Sequence, residues 1–165
     1  MAESSVRRLN AEREVIWVAW EGPGLEHLRL VPHEEGVVAN GLVIGLEGGR
    51  PFRISYEIRC DRRWRVREVR AVASDSERPV FDLLAGGEGR WKRRGREPVP
   101  ELNGCIDVDI SATPFTNTLP IRRLELTDPE SLDGLRRRPP RVAVHRDRAE
   151  TPAPPEDAGV VSRSG

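Results

Sequence analysis

Sulfur and aromatic side chains are scarce in this chain: two cysteines, one methionine and one tyrosine among 165 residues, with Phe, Trp and Tyr together at 5%. Cys60 and Cys105 are too few for a disulfide framework and too far apart in sequence for the paired spacing of a zinc or redox motif. Both are expected as small buried side chains. Charge of one sign is also missing, since 27 Lys and Arg face 27 Asp and Glu. The summed field therefore attracts neither nucleic acid nor an anionic membrane, and partners have to be recognised locally. No apolar run approaches the ~20 residues of a membrane-spanning helix. The N-terminal MAESSVRRLNAEREV lacks the apolar stretch of a signal peptide. The expectation is a cytoplasmic protein without integral membrane association. His27, His33 and His145 sit in separate segments, none beside a serine or cysteine motif, and nothing marks a metal site or a cofactor.

What the chain does have is a succession of short β segments divided by glycine. At this length one domain can bury roughly two-thirds of the surface that the unfolded chain exposes. Residues 14–20 (EVIWVAW) place Ile16, Val18 and Trp20 on one face and Val15, Trp17 and Ala19 on the other, so this strand is expected to be covered on both sides. GPG at 22–24 turns the chain into LEHLRLV, and VVANGLVIGL comes after a break at 32–36. EGGR at 47–50 has two glycines able to supply the positive φ of a tight hairpin. In PFRISYEIRC, residues Phe52, Ile54, Tyr56, Ile58 and Cys60 share one face and the polar residues the other, as in a half-buried antiparallel strand. WRVREVRAVA and a hairpin closed by AGGEG complete an antiparallel meander, curled into one sheet or an open barrel. The 3.6-residue period of a long helix is missing before Glu101.

The terminal segment 136–165 holds seven arginines against four acids, five of the 14 prolines and no aromatic residue. It cannot bury enough apolar surface to offset its ordering entropy, so it is expected as a disordered Arg/Pro-rich tail, as 1–13 is expected to be a flexible N-terminus.

The polar chemistry concentrates in NGCIDVDISATPFTNTLPIRRLEL. Alternation from Cys105 to Ile110 sets Asp107 and Asp109 on one face, roughly 6 to 7 Å apart. Such a pair suits acid/base work or a cation, or it accepts backbone amides and pairs with Arg122 and Arg123. Thr113-Pro114 reads as a helix start, with the hydroxyl capping the first turn and Pro120 breaking or kinking the helix beyond it. That helix puts Phe115 and Leu119 on one face and leaves Thr116 and Asn117 to hydrogen-bond elsewhere.

DVDISATPFTNTLPIRRL, preceded in order by WVAWEGPGLEHLRL, PFRISYEIRCDRRWRVREV and GEGRWKRRG, resembles the glycolipid-binding family of bacterial proteins over residues 15–135. The resemblance implies a spiral β-roll, a long sheet wrapped around a single helix, and association as a homodimer. After about Leu135 the chain departs from the family pattern, and these residues are expected to replace its last strands through a frameshift or truncation. The domain is accordingly placed at 14–135 and is expected to be incomplete. The implied function is non-catalytic binding of a glycolipid or related amphipathic molecule in a cavity. Trp64 and Trp91 are candidates to cover a sugar or acyl face, or else ordinary core. Asp61, Asp107, Asp109, Thr116, Asn117, Arg122 and Arg123 are candidates for hydroxyls or phosphate, and Tyr56 lines the cavity or fills the core. The alternatives are a hydrolase or lyase using Asp107 or Asp109 as base, and a dimeric structural protein without ligand.

Overall fold

A computed structural model describes residues 10–73, 79–86, 88–95, 97–124 and the backbone of 142–146. Seven strands follow one another in a single antiparallel sheet: β1 (Arg13–Val18), β2 (Gly24–His33), β3 (Gly36–Glu47), β4 (Arg50–Asp61), β5 (Val66–Ala73), β6 (Phe81–Ala85) and β7 (Trp91–Arg93), each paired with its sequence neighbours. The sheet does not close on itself, so β1 and β7 are its edges. A 3₁₀ turn at Pro100–Leu102 leads to β8 (Cys105–Ile110) and α1 (Phe115–Arg123). Mainly antiparallel β structure with one short helix agrees with the sequence reading.

The hairpin at 47–50 forms as expected: Glu47 pairs with Arg50 while Gly48 and Gly49 take φ of 56° and 80°. Left-handed conformations at both central residues match the right-handed twist of the flanking strands. Along β4, Tyr56, Ile58 and Cys60 are buried while Arg53, Ser55 and Arg59 face water. The partner face of β3 supplies Val37, Ala39 and Val43. In β5 the buried set changes phase, with Val66 and then Val69 and Ala71 inside, because the register with β4 slips between Arg59 and Cys60. One extra residue in one strand moves the following side chains to the other face.

β8 and α1 lie on the inner face of this sheet. Phe115 stacks on Tyr56 with ring centroids 6.3 Å apart and an interplanar angle of 13°. Phe115 and Leu119 are fully buried together, as their spacing on one helical face predicts. Burial of each contributes about 1.5–3 kcal/mol relative to exposure. At the other side, the Trp91 indole N–H donates to the Cys105 carbonyl at 2.7 Å and pins β8 beside β7. Both cysteines are buried, as expected.

The structure corrects one local expectation and narrows two others. β1 is an edge strand whose outer face is bare: Ile16 and Val18 are 65% and 73% exposed, and Trp20 beyond it is 99% exposed. Only Val15 and Trp17 are half-buried, because the inner face alone has helix and strand packed over it. The break expected at 32–36 is confined to 34–35, since β2 continues through Pro32, paired with Val37, to His33. Of the two outcomes expected at Pro120, a break is ruled out: α1 is short but runs through it to Arg123 and closes with the Leu124 N–H on the Pro120 carbonyl. A proline removes one backbone donor, and packing of Phe115 and Leu119 outweighs that loss in so short a helix. Of the segment 136–165, the backbone of β9 (Val142–Arg146) is extended and pairs antiparallel with β8. The rest of that segment and residues 1–9 lie outside the described residues.

Gly41 stands opposite Tyr56, and a Cβ on it would sit 2.1 Å from the phenol ring. The ring thus lies across β3 in the space a side chain would fill. Gly41→Ala is expected to lower unfolding free energy by about 1–3 kcal/mol or more, the usual range for overpacking a core. Urea denaturation checks this, and an unchanged midpoint would exclude the close approach.

Candidate functional site

Three polar clusters occupy the inner face and one end of the sheet. The first is built on Glu26, a carboxylate only 3% exposed. Its position in LEHLRL shares parity with Leu28 and Leu30, so strand alternation turns it inward with them. Across the sheet the Tyr56 hydroxyl donates to Glu26 Oε1. From the turn between β8 and α1, Thr113 Oγ1 lies 2.7 and 2.8 Å from the two Glu26 oxygens and accepts the Phe115 N–H at 2.9 Å. Thr113 therefore begins the helix as its sequence suggests, although its hydroxyl also belongs to the Glu26 cluster. Among the described residues no cation lies within ion-pair distance of Glu26. Burial pushes its carboxyl above the usual range, opposed by the hydrogen bonds from Tyr56 and Thr113, which favour the ionised form. Burial and the adjacent Glu26 together push the Tyr56 phenol far up, so it acts as a donor at any physiological pH.

The second cluster joins β8 to the end of α1. Arg123 grips Asp107 with two bonds, Nε to Oδ1 at 3.2 Å and Nη2 to Oδ2 at 2.6 Å, both side chains about nine-tenths buried. Asp107 is thus committed to a bidentate ion pair. Asp109, on the same strand face, has Thr116 Oγ1 3.3 Å from Oδ1, and Thr116 also accepts the Ile110 N–H at 3.2 Å. Cys60 lies near enough for its thiol to be raised by burial first and then by Asp61 and Asp107.

The third cluster surrounds the turn from β4 to β5. Asp61 Oδ1 accepts the N–H groups of Arg63 and Arg65 at 2.9 and 3.1 Å, and Oδ2 takes the Arg65 guanidinium at 2.8 Å. This turn holds Trp64 at φ 61°, the one left-handed non-glycine among the described residues. A bulky residue there is strained, and the Asp61 carboxylate together with burial of the indole maintains it. Arg122 of α1 lies over the Trp64 ring, its guanidinium carbon 5.4 Å from the centroid. Beside Trp64 opens a cleft of about 260 Å³ lined also by Asn10, His33, Glu34, Val37, Asp61 and Arg62.

The candidates from the sequence therefore fall into separate groups. Asp61 and Trp64 line the cleft, and Arg122 lies over the Trp64 ring. Tyr56 belongs to the Glu26 cluster; Asp107, Asp109, Thr116 and Arg123 form the joint between β8 and α1. Trp91 is core, 2% exposed and bonded to a backbone carbonyl. Asn117 is half-buried on α1, where its N–H closes on the Pro114 carbonyl. Sequence reasoning missed Glu26, whose signal was an acid on the apolar parity of β2. It also missed His33, a polar residue with no pattern to mark it. Among the described residues no group of His, Cys, Asp and Glu could hold a metal ion, and no helix is long and apolar enough to cross a membrane.

These geometries predict two outcomes. Arg123→Ala leaves Asp107 buried without its partner and is expected to cost about 3–5 kcal/mol of stability by chemical denaturation; a loss under about 1 kcal/mol would show that the pair is solvated. Glu26 has a raised folded-state pKa, so the folded protein binds its proton more tightly than the unfolded chain. Its contribution is full below the ordinary carboxylate value near 4.5 and is lost as pH rises through the raised value. Relative to Glu26→Gln, the wild type should therefore gain stability on going from about pH 7.5 to about pH 5, and a pH-independent difference would contradict the assignment.

A comparison with curated proteins returns no match. Among solved structures the chain is similar to the crystal structure of a DUF1089 family protein from Pseudomonas aeruginosa, at 30% identity and a TM-score of 0.45. The match covers 78% of this chain and 63% of that one, so the chain spans less than two-thirds of that protein's length. A family model described as "Putative glycolipid-binding" matches residues 14–136. That span includes nearly all of the seven-stranded sheet, β8, α1 and all three polar clusters, and the chain belongs to this family.

Proposed function

We propose that this protein binds a glycolipid or a related amphipathic molecule without transforming it, with the head group at the Trp64 cleft. The observation that carries this reading is the cleft itself, where Trp64, 5% exposed, is bordered by a histidine, a glutamate, an aspartate, an arginine and an asparagine. The small part of the indole left open, ringed by hydrogen-bonding groups of both senses, suits a sugar, which presents C–H groups and hydroxyls together. The family description supports the lipid-linked character of the ligand. The acids offered as a catalytic base favour binding or structure instead, because Asp107 is held by Arg123 and Asp109 has the Thr116 hydroxyl 3.3 Å from its Oδ1. Association as a homodimer belongs to the same proposal, and the bare outer face of β1 and β2 offers apolar surface for it, with Ile16, Val18 and Leu25 at least 44% exposed.

Native mass spectrometry of the freshly purified full chain, followed by organic extraction, tests the reading. A retained acyl species bearing a sugar is expected. Its retention should fall about tenfold or more in Trp64→Leu, since losing one well-placed aromatic contact is worth ~1–2 kcal/mol. Protein that stays empty, and that extracts no lipid when incubated with vesicles of bacterial glycolipid, would refute it.

A further inference from the structure

Residues 62–65 join β4 to β5. The Asp61 N–H donates to the Arg65 carbonyl at 3.0 Å, which leaves Arg62, Arg63 and Trp64 as the loop, and the Trp64 N–H donates back to the Asp61 carbonyl at 2.9 Å. A three-residue hairpin loop commonly ends on a residue in the left-handed conformation, a place that glycine fills without strain. Here Trp64 fills it, whereas every other residue of positive φ among the described residues is a glycine. Holding a side chain in that conformation costs roughly five- to a hundredfold in the backbone equilibrium.

Placement is what the tryptophan gains. From this position the indole is 5% exposed, borders the cleft and has the Arg122 guanidinium carbon 5.4 Å from its centroid. In an extended conformation the Cα–Cβ bond points elsewhere, and the ring leaves this seat.

The Asp61 carboxylate is engaged in holding the loop. Its Oδ1 accepts the N–H groups of Arg63 and Arg65 at 2.9 and 3.1 Å, the residues on either side of Trp64, so one oxygen fixes the chain before and after the strained position. Its Oδ2 accepts the Arg65 Nε–H at 2.8 Å, with Arg67 a further 3.9 Å contact. Asp61 lines the cleft, yet little of its hydrogen-bonding capacity is left for a ligand. Arg65 does not line the cleft.

We infer that Asp61 and Arg65 are positioning residues of the Trp64 cleft: they keep Trp64 left-handed so that its indole borders the head group, and neither contacts the ligand. This rests on the head-group reading above and adds to it the residues that prepare the site before a ligand arrives. Apparent affinity scales with the fraction of protein already in the competent conformation, so strain that Asp61 no longer offsets reappears as lost affinity.

The test titrates the full chain with octyl glucoside below its micelle concentration, reading the Trp64 indole N–H resonance by NMR and the exchange of the Arg63 and Arg65 amides. Asp61→Ala is expected to weaken binding about tenfold or more. At saturation its Trp64 resonance should return to the position seen in the saturated wild type, because the ligand selects the same conformation. Asp61→Asn keeps an oxygen for the two amides and loses the charged grip on Arg65, so it should match Arg65→Gln, each weaker than the wild type by about two- to fivefold. Asp61→Ala binding as the wild type does overturns the proposal, and so does Arg65→Gln with wild-type affinity. Asp61→Asn binding as weakly as Asp61→Ala, with the two amides still protected, overturns it by making the carboxylate a ligand contact. Where Asp61→Ala loses the near-ultraviolet circular dichroism of the fold, the comparison of Asp61→Asn with Arg65→Gln decides alone. Octyl glucoside that leaves the wild-type Trp64 resonance unmoved also overturns the proposal, while lipid retention in the mass spectrometer decides the broader reading independently.

Discussion

The buried carboxylate of Glu26 is the constraint around which the inner face is arranged. An ionisable group removed from water without a cation nearby is costly unless donors replace the lost hydration. Here those donors come from two distant parts of the chain, the Tyr56 phenol on β4 and the Thr113 hydroxyl ahead of α1. Satisfying one acid thereby fixes where the helix enters and which ring it stacks on. The stack of Phe115 on Tyr56 and the burial of Leu119 depend on that placement. Asp107 and Arg123 secure the far end of the helix, so α1 is held at both ends by polar contacts and along its middle by apolar ones.

Glycine on β3 makes this arrangement sterically possible. Gly41 yields its side-chain volume to the Tyr56 ring, and Gly45 lies against Phe52, where a Cβ would come within 2.8 Å of the ring. Large aromatics on one strand thus lie over glycine on the next, which lets rings bridge strands instead of standing upright between them. The cleft end uses the opposite device, a bulky residue in a conformation that glycine prefers, kept there by the Asp61 turn. Such local strain is retained where surrounding contacts over-determine it.

Much of the sheet was legible in the sequence because its strands obey simple alternation. PFRISYEIRC and the paired glycines at 48–49 specify β4 and its hairpin from local pattern alone. The edge position of β1 was not legible, since apolar residues on both faces of a strand look alike whether the outer face is covered or bare. Pro120 left two outcomes open for a related reason: local propensity allows a helix to stop or to kink there, and tertiary packing decides that it continues. Among site residues, Asp61, Trp64 and Arg122 were visible as polar or aromatic residues near turns, yet the approach of Arg122 to the Trp64 ring depends on how α1 is seated. Glu26 was hidden because an acid amid leucines is ordinarily assigned to the solvent face, and only its parity argues otherwise.

The separation of Glu26 and Thr113 by 87 residues carries a kinetic consequence. Each strand from β1 to β7 pairs with its immediate neighbours, so the sheet can assemble hairpin by hairpin through short loop closures. The bond that seats the helix closes a loop spanning most of the domain and comes with a larger entropic cost of closure. The topology therefore predicts a folding order in which the meander forms early with its inner face still wet, and the arrival of Thr113 at Glu26 is the late, rate-limiting step that dries it.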